Sequence, residues 1–234
     1  MISMKKVVVL TGAGVSRESG IKTFRDSDGM WENYRIEEVC TAEAIIRNRD
    51  LVIDFYNMRR KELFEVKPND GHFALADLEK YFDVEIITQN VDNLHERSGS
   101  TKVTHLHGEL TKLRSSENPD YIIDLEGWEQ DKNALAPDGS LLRPFIVFFN
   151  EPVPMIDVAA KIVAEADIII VTGTSLVVYP AASLLHYAKK NTPIYLVDPN
   201  PPAIDGVGDR VSVIEENSGT GLPKLRDLLI EKYS

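Results

Sequence analysis

The chain has 234 residues, 43% hydrophobic and 27% charged, and its 26 Lys and Arg against 37 Asp and Glu give a formal charge of −11. That balance excludes a protein that lives on nucleic-acid phosphate, which needs a surplus of cations, and the single cysteine, Cys40, excludes both a disulfide framework and a multi-cysteine zinc site. No apolar run approaches the roughly 20 residues of a membrane span, and the opening Met1-Ile2-Ser3-Met4-Lys5-Lys6 has no cleavage-type region, so the expectation is a soluble, cytoplasmic, monomeric α/β protein.

Short apolar runs alternate with helix-length amphipathic stretches, the pattern of a mostly parallel sheet covered by helices on both faces. Residues 7–10 read as a buried strand that runs into the glycine-rich turn Thr11-Gly12-Ala13-Gly14. Residues 34–68 read as helix, ending near Lys67-Pro68, and a further helix lies around 70–80. Strands follow at 84–88, then in a third run that ends near Leu106, and at 146–149, 168–171 and 194–197. Helices around 156–166, 180–190 and 223–232 complete the alternation; Met155, Ala159, Ile162, Val163 and Ala166 carry the period of a half-buried helix. The expected fold is a Rossmann-like, doubly wound parallel sheet built from 1–33, 69–110 and 142–234. Residues 34–68 and 111–141 read as two insertions that form a small helical and irregular lobe. Within the second, residues 115–140 hold seven acids against Lys132, a charge of −6, with few apolar anchors. Such a stretch is expected to be partly mobile.

Five polar clusters sit where strands end, the place where ligands bind in such sheets. The first is Gly12-Ala13-Gly14-Val15-Ser16-Arg17-Glu18-Ser19-Gly20, a turn expected to offer free backbone N–H groups to a phosphate. Arg17 stands where the generic dinucleotide fingerprint has its third glycine, so the bare pattern fits a ligand-free connection equally well. The others are Gln89-Asn90-Val91-Asp92, His105-Leu106-His107-Gly108, Gly173-Thr174-Ser175 and Asp198-Pro199-Asn200, whose acid suits ribose hydroxyls. Either histidine taken alone reads first as a satisfied structural residue.

The helix around 45–65 breaks its own pattern. Val52, Tyr56, Arg59 and Leu63 fall at i, i+4, i+7 and i+11, one helical face, so a guanidinium shares an apolar stripe. Such a cation is costly unless it is paired or meets an anion. It either snorkels or bridges one of the nearby acids, or it clamps a negatively charged ligand with Tyr56 as a donor one turn away.

Taken in order, the Gly12-to-Arg25 block, Gln89-Asn90-Val91-Asp92, His105-Leu106-His107-Gly108 and Gly173-Thr174-Ser175 resemble the sirtuin family, the NAD-dependent protein lysine deacylases. The resemblance spans about residues 5 to 232 and weakens between 115 and 140. It implies that NAD lies across the strand ends, near Gly12, Ala13, Gly14 and Glu18. It further implies a loop of Thr23, Phe24 and Arg25 over the nicotinamide ribose, with Trp31 nearby. Gln89, Asn90 and Asp92 would line the nicotinamide pocket, and Gly173, Thr174, Ser175, Asp198, Pro199, Asn200 and Ser218 would hold the rest of the dinucleotide. His107 and Asn90 take the catalytic positions, with His107 as the base for the ribose hydroxyl. The acyl-lysine of a protein or peptide would lie against Val91 and Phe149. The implied products are free lysine, nicotinamide and 2′-O-acyl-ADP-ribose.

Tyr56 and Arg59 resemble the Tyr-x-x-Arg motif of the branch that removes succinyl, malonyl or glutaryl groups, and Thr23 in place of the common aspartate points the same way. Succinyl-lysine is therefore the leading substrate, with acetyl-lysine second. The chain departs from the family in lacking the zinc cysteines, Ser115 standing about where the first would be, so no metal is expected. Asn150 replaces a usual glycine, and asparagine tolerates the positive φ that a bend there needs. Phe145 and Phe148 replace a common His and Trp, and Asp198 a common asparagine. An NAD glycohydrolase, a mono-ADP-ribosyltransferase and a non-catalytic NAD or ADP-ribose binder remain as alternatives.

Overall fold

The computed structural model describes residues 4–22, 30–31, 34–175, 181–202 and 210–234. In chain order, β1 (Lys6–Thr11) leads into α1 (Gly14–Arg17) and an antiparallel pair, β2 (Met30–Trp31) and β3 (Tyr34–Arg35). Next come α2 (Ile36–Val39), α3 (Ala42–Arg47), α4 (Arg49–Glu65), α5 (Asp70–Leu78), β4 (Asp83–Thr88), α6 (Leu94–Arg97) and β5 (Val103–His105). β6 (Gly108–Ser115), β7 (Ile122–Asp124), β8 (Leu142–Ile146), α7 (Ile156–Glu165) and β9 (Ile168–Thr172) follow. A 3-10 helix (Ala181–Tyr187), β10 (Ile194–Val197), β11 (Val211–Ile214) and α8 (Ser218–Tyr233) complete the described chain.

Six strands form one parallel sheet in the order β11-β10-β9-β1-β4-β5. Period-two alternation distributes β1 between two cores. Val7 and Val9 pack against Leu75, Leu78, Leu222 and Leu229 from α5 and α8, while Val8 and Leu10 pack against Ile162, Val163 and Leu184 on the opposite face. Each buried Val or Leu contributes about 1.5–3 kcal/mol from burial. Ala159, Ile162, Val163 and Ala166 are all buried, as the periodicity requires.

The structure differs from the sequence reading at four places. Residues 34–68 form three helices rather than one, broken at Thr41 and Asn48; the Thr41 hydroxyl caps α3 by accepting Ala44 N–H. The apolar run 146–149 does not enter the large sheet. Ile146 instead ends β8 in a separate antiparallel sheet of order β7-β6-β8, and Phe149 makes an isolated bridge to Thr41. An apolar run alone does not tell which sheet will take it. The exposed-to-intermediate β11 escaped notice because it has no buried run.

Residues 115–140 are the fourth. Instead of being loose, they are tied down by polar contacts. Ser115 Oγ accepts Glu117 N–H at 3.0 Å and Asn118 N–H at 2.8 Å, and lies 2.7 Å from Ser140 Oγ. Asp138 accepts from Ser140 N–H and Oγ at 2.9 and 2.6 Å. Leu113, Ala136 and Leu142 form a small core beneath. Among the described residues no group of three or more His, Cys, Asp or Glu is placed to hold a metal ion.

Arg49, Lys132 and above all Arg60, fully buried on α4 and next to the arginine that the sequence singles out, hold this segment to the helices. Arg60 Nε donates to Leu110 O at 2.7 Å, and its two terminal nitrogens donate to Asn57 Oδ1, Trp128 O and Gln130 Oε1. Asn57 then exchanges two bonds with the Gln130 backbone, at 2.8 and 3.1 Å. Burial lowers the Arg60 pKa to about 10, so it stays charged at neutral pH.

Candidate active site

The chain leaves β1 toward β4 on one side and later returns to β9 on the other, so the sheet's switch point lies between β1 and β9. Gly12 and Gly14 follow β1, and Gly173, at φ 61°, follows β9. A Cβ on Gly12 would stand 2.7 Å from Gly173 O, and one on Gly14 would stand 2.6 Å from Gly173 Cα. Glycine is required here by backbone meeting backbone. The expectation that this turn offers free N–H groups is corrected at two positions. Gly12 N–H donates to Thr172 O at 3.2 Å and Gly14 N–H to Gly173 O at 2.8 Å. Ala13 N–H has no backbone acceptor among the described residues.

A cavity of about 810 Å³ runs from this cradle across the strand ends to α4, a volume suited to a sizeable organic ligand. Its floor is a fixed hydrogen-bond chain. Asn90 Nδ2 donates to Ser16 Oγ at 3.1 Å, and Ser16 Oγ donates to Asp92 Oδ2 at 3.0 Å. Because Ser16 has one hydroxyl proton and Asp92 takes it, Asn90 must present its NH₂ group to Ser16. Asp92 Oδ1 also accepts Leu94 N–H at 3.1 Å; burial nonetheless pushes its pKa up, with the Leu94 and Ser16 bonds opposing. Gln89 Nε2 donates to Thr174 Oγ1 at 2.9 Å, which ties the β4 end to the β9 end.

The two histidines have different duties. His107 lines the cavity, and its Nδ1 lies 3.0 Å from Gln89 O. A carbonyl can only accept, so Nδ1 carries the proton and Nε2 is the basic nitrogen. Burial lowers the His107 pKa, the Gln89 bond opposing, so the ring is neutral at pH 7. His105 instead bonds on both sides, Nδ1 to Asn90 O at 2.9 Å and Nε2 to Glu96 Oε1 at 2.7 Å. Burial would lower its pKa, but the Glu96 bond and charge raise it overall. It anchors the Asn90 backbone to α6.

The opposite wall comes from α4 and the 146–151 turn. Val52, Tyr56, Arg59 and Leu63 are all buried, as their shared stripe requires. Tyr56 and Arg59 both line the cavity, and Tyr56 Oη donates to Cys40 Sγ at 3.8 Å. Burial holds the phenol pKa well above its usual value, so Tyr56 is a neutral donor facing a weak sulfur acceptor. Arg59 Nη1 pairs with Glu62 Oε2 at 2.7 Å, so the bridging of a nearby acid weighed from the sequence is realised, and at the cavity wall. Phe148 sits with its ring 5.7 Å from Tyr56 and 4.4 Å beneath the Arg143 guanidinium, itself held by Glu151. Asn150 has φ 71°, the positive value that the bend was expected to need.

Of the residues singled out from the sequence, Gly12, Ala13, Gly14, Tyr56, Arg59, Gln89, Asn90, Val91, Asp92, His107 and Phe149 line this one cavity, as do Gly173, Thr174, Ser175, Asp198, Pro199, Asn200 and Ser218. Glu18 does not: its carboxylate accepts Gly219 N–H at 2.6 Å at the start of α8, where an acid complements the helix dipole. Thr23, Phe24 and Arg25 lie outside the described residues, and of Trp31 only the strand backbone is described, paired with Tyr34. Ser16, Cys40 and Glu62 line the cavity and were missed. Ser16 lies inside the glycine-rich block, and Glu62 lies three residues beyond Arg59, so both carried a spacing signal; Cys40 carried none.

The Sir2 family profile matches residues 12–180. The chain belongs to the Sir2 family. An NAD-dependent protein deacylase of Bacteroides thetaiotaomicron is 54% identical over 233 residues, 97% of this chain and 99% of that protein. A solved Sir2 homologue mutant bound to ADP-ribose superposes with a TM-score of 0.88 at 37% identity, over 98% of this chain and 93% of the other. A Sir2 homologue–NAD complex gives 0.86 at 38%, over 99% and 91%. The glycine cradle, which a Cβ would fill, and the polar strand-end cavity of this Sir2-family chain fit NAD, with Asp198, Asn200 and Ser218 at the β10 and α8 side.

Proposed function

We propose that this Sir2-family, NAD-dependent protein deacylase acts on lysines carrying acidic acyl groups, succinyl or malonyl, with acetyl-lysine as a secondary substrate. The observation that carries the reading is that His107 on the floor and Tyr56 with Arg59 on the wall line one continuous cavity. NAD supplies the ADP-ribosyl acceptor for the acyl group. His107 Nε2 takes the ribose hydroxyl proton, a role supported by its neutral ring and by the Gln89 carbonyl that fixes its tautomer. Ser16 and Asp92 hold the Asn90 carboxamide in one orientation against the nicotinamide end. Val91 and Phe149 flank the acyl-lysine. The substrate's carboxylate meets the Arg59 fork and takes the Tyr56 hydroxyl from its weak sulfur partner. In this reading residues 34–68 and 111–141 are a lobe covering the nucleotide-binding sheet.

Matched succinyl-lysine and acetyl-lysine peptides, offered with NAD to the wild type and to Arg59→Met, test the reading. Removing the charge partner of a desolvated carboxylate costs about 2–5 kcal/mol, roughly 30-fold or more in kcat/KM. That loss is expected on the succinyl peptide, with a far smaller change on the acetyl peptide. Equal losses on both would sink the clamp.

A further inference from the structure

The acyl wall carries a negative charge as well as a positive one. Glu62 lies three residues after Arg59 on α4, lines the same cavity, and accepts from Arg59 Nη1 at 2.7 Å. The two partners are unequally placed: the Arg59 side chain is 8% exposed and that of Glu62 is 41% exposed. The cation is anchored while the acid has water beside it. Among the described residues three other carboxylates line the cavity, and each has bonds of its own. Asp92 is held by Ser16 and Leu94, Glu151 by the Arg143 fork, and Asp198 by Asn200 N–H at 2.8 Å.

We infer that Glu62 is a specificity-determining residue, an exchangeable counterion that satisfies Arg59 until an acidic acyl group displaces it. The inference rests on the acyl-carboxylate reading of Arg59 given above. Paired with Arg59, Glu62 meets the need of a desolvated guanidinium for an anion. When a succinyl or malonyl carboxylate arrives, it competes for the Arg59 fork. Glu62 then rotates into solvent at small cost, because a half-exposed i,i+3 ion pair is screened by water. A neutral acyl chain has nothing to gain at the fork and leaves the pair intact. Glu62 therefore sets the threshold between acidic and neutral acyl groups. It weakens acidic binding through competition and like-charge repulsion.

Glu62→Gln keeps the shape and removes the competing charge. The quantity to read is the ratio of kcat/KM for succinyl-lysine over acetyl-lysine peptides, in the wild type, Glu62→Gln and Arg59→Met. Glu62→Gln is expected to raise the ratio roughly threefold to tenfold, through a lower KM for the succinyl peptide. Arg59→Met is expected to lower it. A ratio that is unchanged or reduced in Glu62→Gln while Arg59→Met lowers it overturns the counterion role and leaves the clamp standing, with Glu62 then only steadying Arg59. A ratio unchanged in both variants removes the clamp and the counterion together.

Discussion

The two walls of the cavity are built from different materials. On the floor, Thr172, Thr11 and Thr88 lie side by side in register at the ends of β9, β1 and β4, and all are fully buried. Their hydroxyls reach one residue each: Ser218 Oγ at 2.8 Å, His95 Nε2 at 3.1 Å and Asn90 N–H at 3.0 Å. The strands that carry them are covered by an apolar core on each face of the sheet. On the α4 wall the fully buried residue of comparable importance is Arg60, whose acceptors come from Asn57, Leu110, Trp128 and Gln130. The floor is positioned by sheet register and can lose one side chain locally. The wall is positioned by a polar network that fails as a unit.

Three changes break or sharpen that contrast. The largest effect is expected from His107→Ala on the floor. If His107 is the base proposed above, its loss should cost about 10²–10⁴-fold in kcat, while thermal stability and NAD binding change little, because the neighbouring backbone is held by the sheet. Single-turnover rates alongside a melting curve and NAD titration would check this. A large fall in Tm would show the floor to be as interdependent as the wall.

Arg60→Met tests the wall. It leaves Gln130 and the Leu110 and Trp128 carbonyls without their donor, and breaking such a buried network costs about 3–5 kcal/mol. Denaturant unfolding should show the loss, and hydrogen exchange should place the first opening at residues 110–142. Because no metal is expected in this segment, added zinc or a chelator should leave the wild type's stability unchanged. A chelator-induced fall in Tm would overturn that account.

The smallest effect is pH-dependent and belongs to the layer behind the floor. His72 and His95 are fully buried with their rings 4.9 Å apart. Burial lowers the His72 pKa to about 4 and holds His95 well below its usual range. An unfolded histidine binds its proton near pH 6.5, so the unfolded chain takes up protons that the folded chain refuses as pH falls. Stability should therefore drop from about pH 6.5 downward, by roughly 3 kcal/mol for His72 by the time pH reaches 4. His105 has the opposite sign: its raised pKa stabilises the fold fully below pH 6.5, and that contribution fades as pH rises through its folded value. The stability profile should thus bend near pH 6.5, and His72→Gln should flatten its acid limb between pH 6.5 and 5. An unaltered acid limb would show that His72 does not set it.

Much of the floor was legible because its information is local. The runs at 7–10, 84–88, 168–171 and 194–197 are fully or nearly buried strands, and each is followed by the polar residues that line the cavity. The preference for His107 over His105 came from a motif. The physical ground for it, a carbonyl at Nδ1 of one ring and a carboxylate at Nε2 of the other, needed Gln89 and Glu96 in place. The run at 146–149 went to the wrong sheet because hydrophobicity marks burial but not the partner strand. On α4, spacing exposed the Arg59 anomaly but not the deeper one beside it.

By itself, then, the sequence determined the parallel sheet and the stripe that carries Tyr56 and Arg59, both of which follow from periodicity within a few residues. Tertiary structure decided the threonine row, the contact of Gly12 and Gly14 with Gly173, the hydrogen-bond partners of the two histidines and the burial of Arg60. The satisfaction of the buried cation depends on groups 50 to 70 residues away along the chain, the His107 tautomer on a carbonyl 18 residues away and the threonine row on strand pairing, and such groups meet only after the chain has folded.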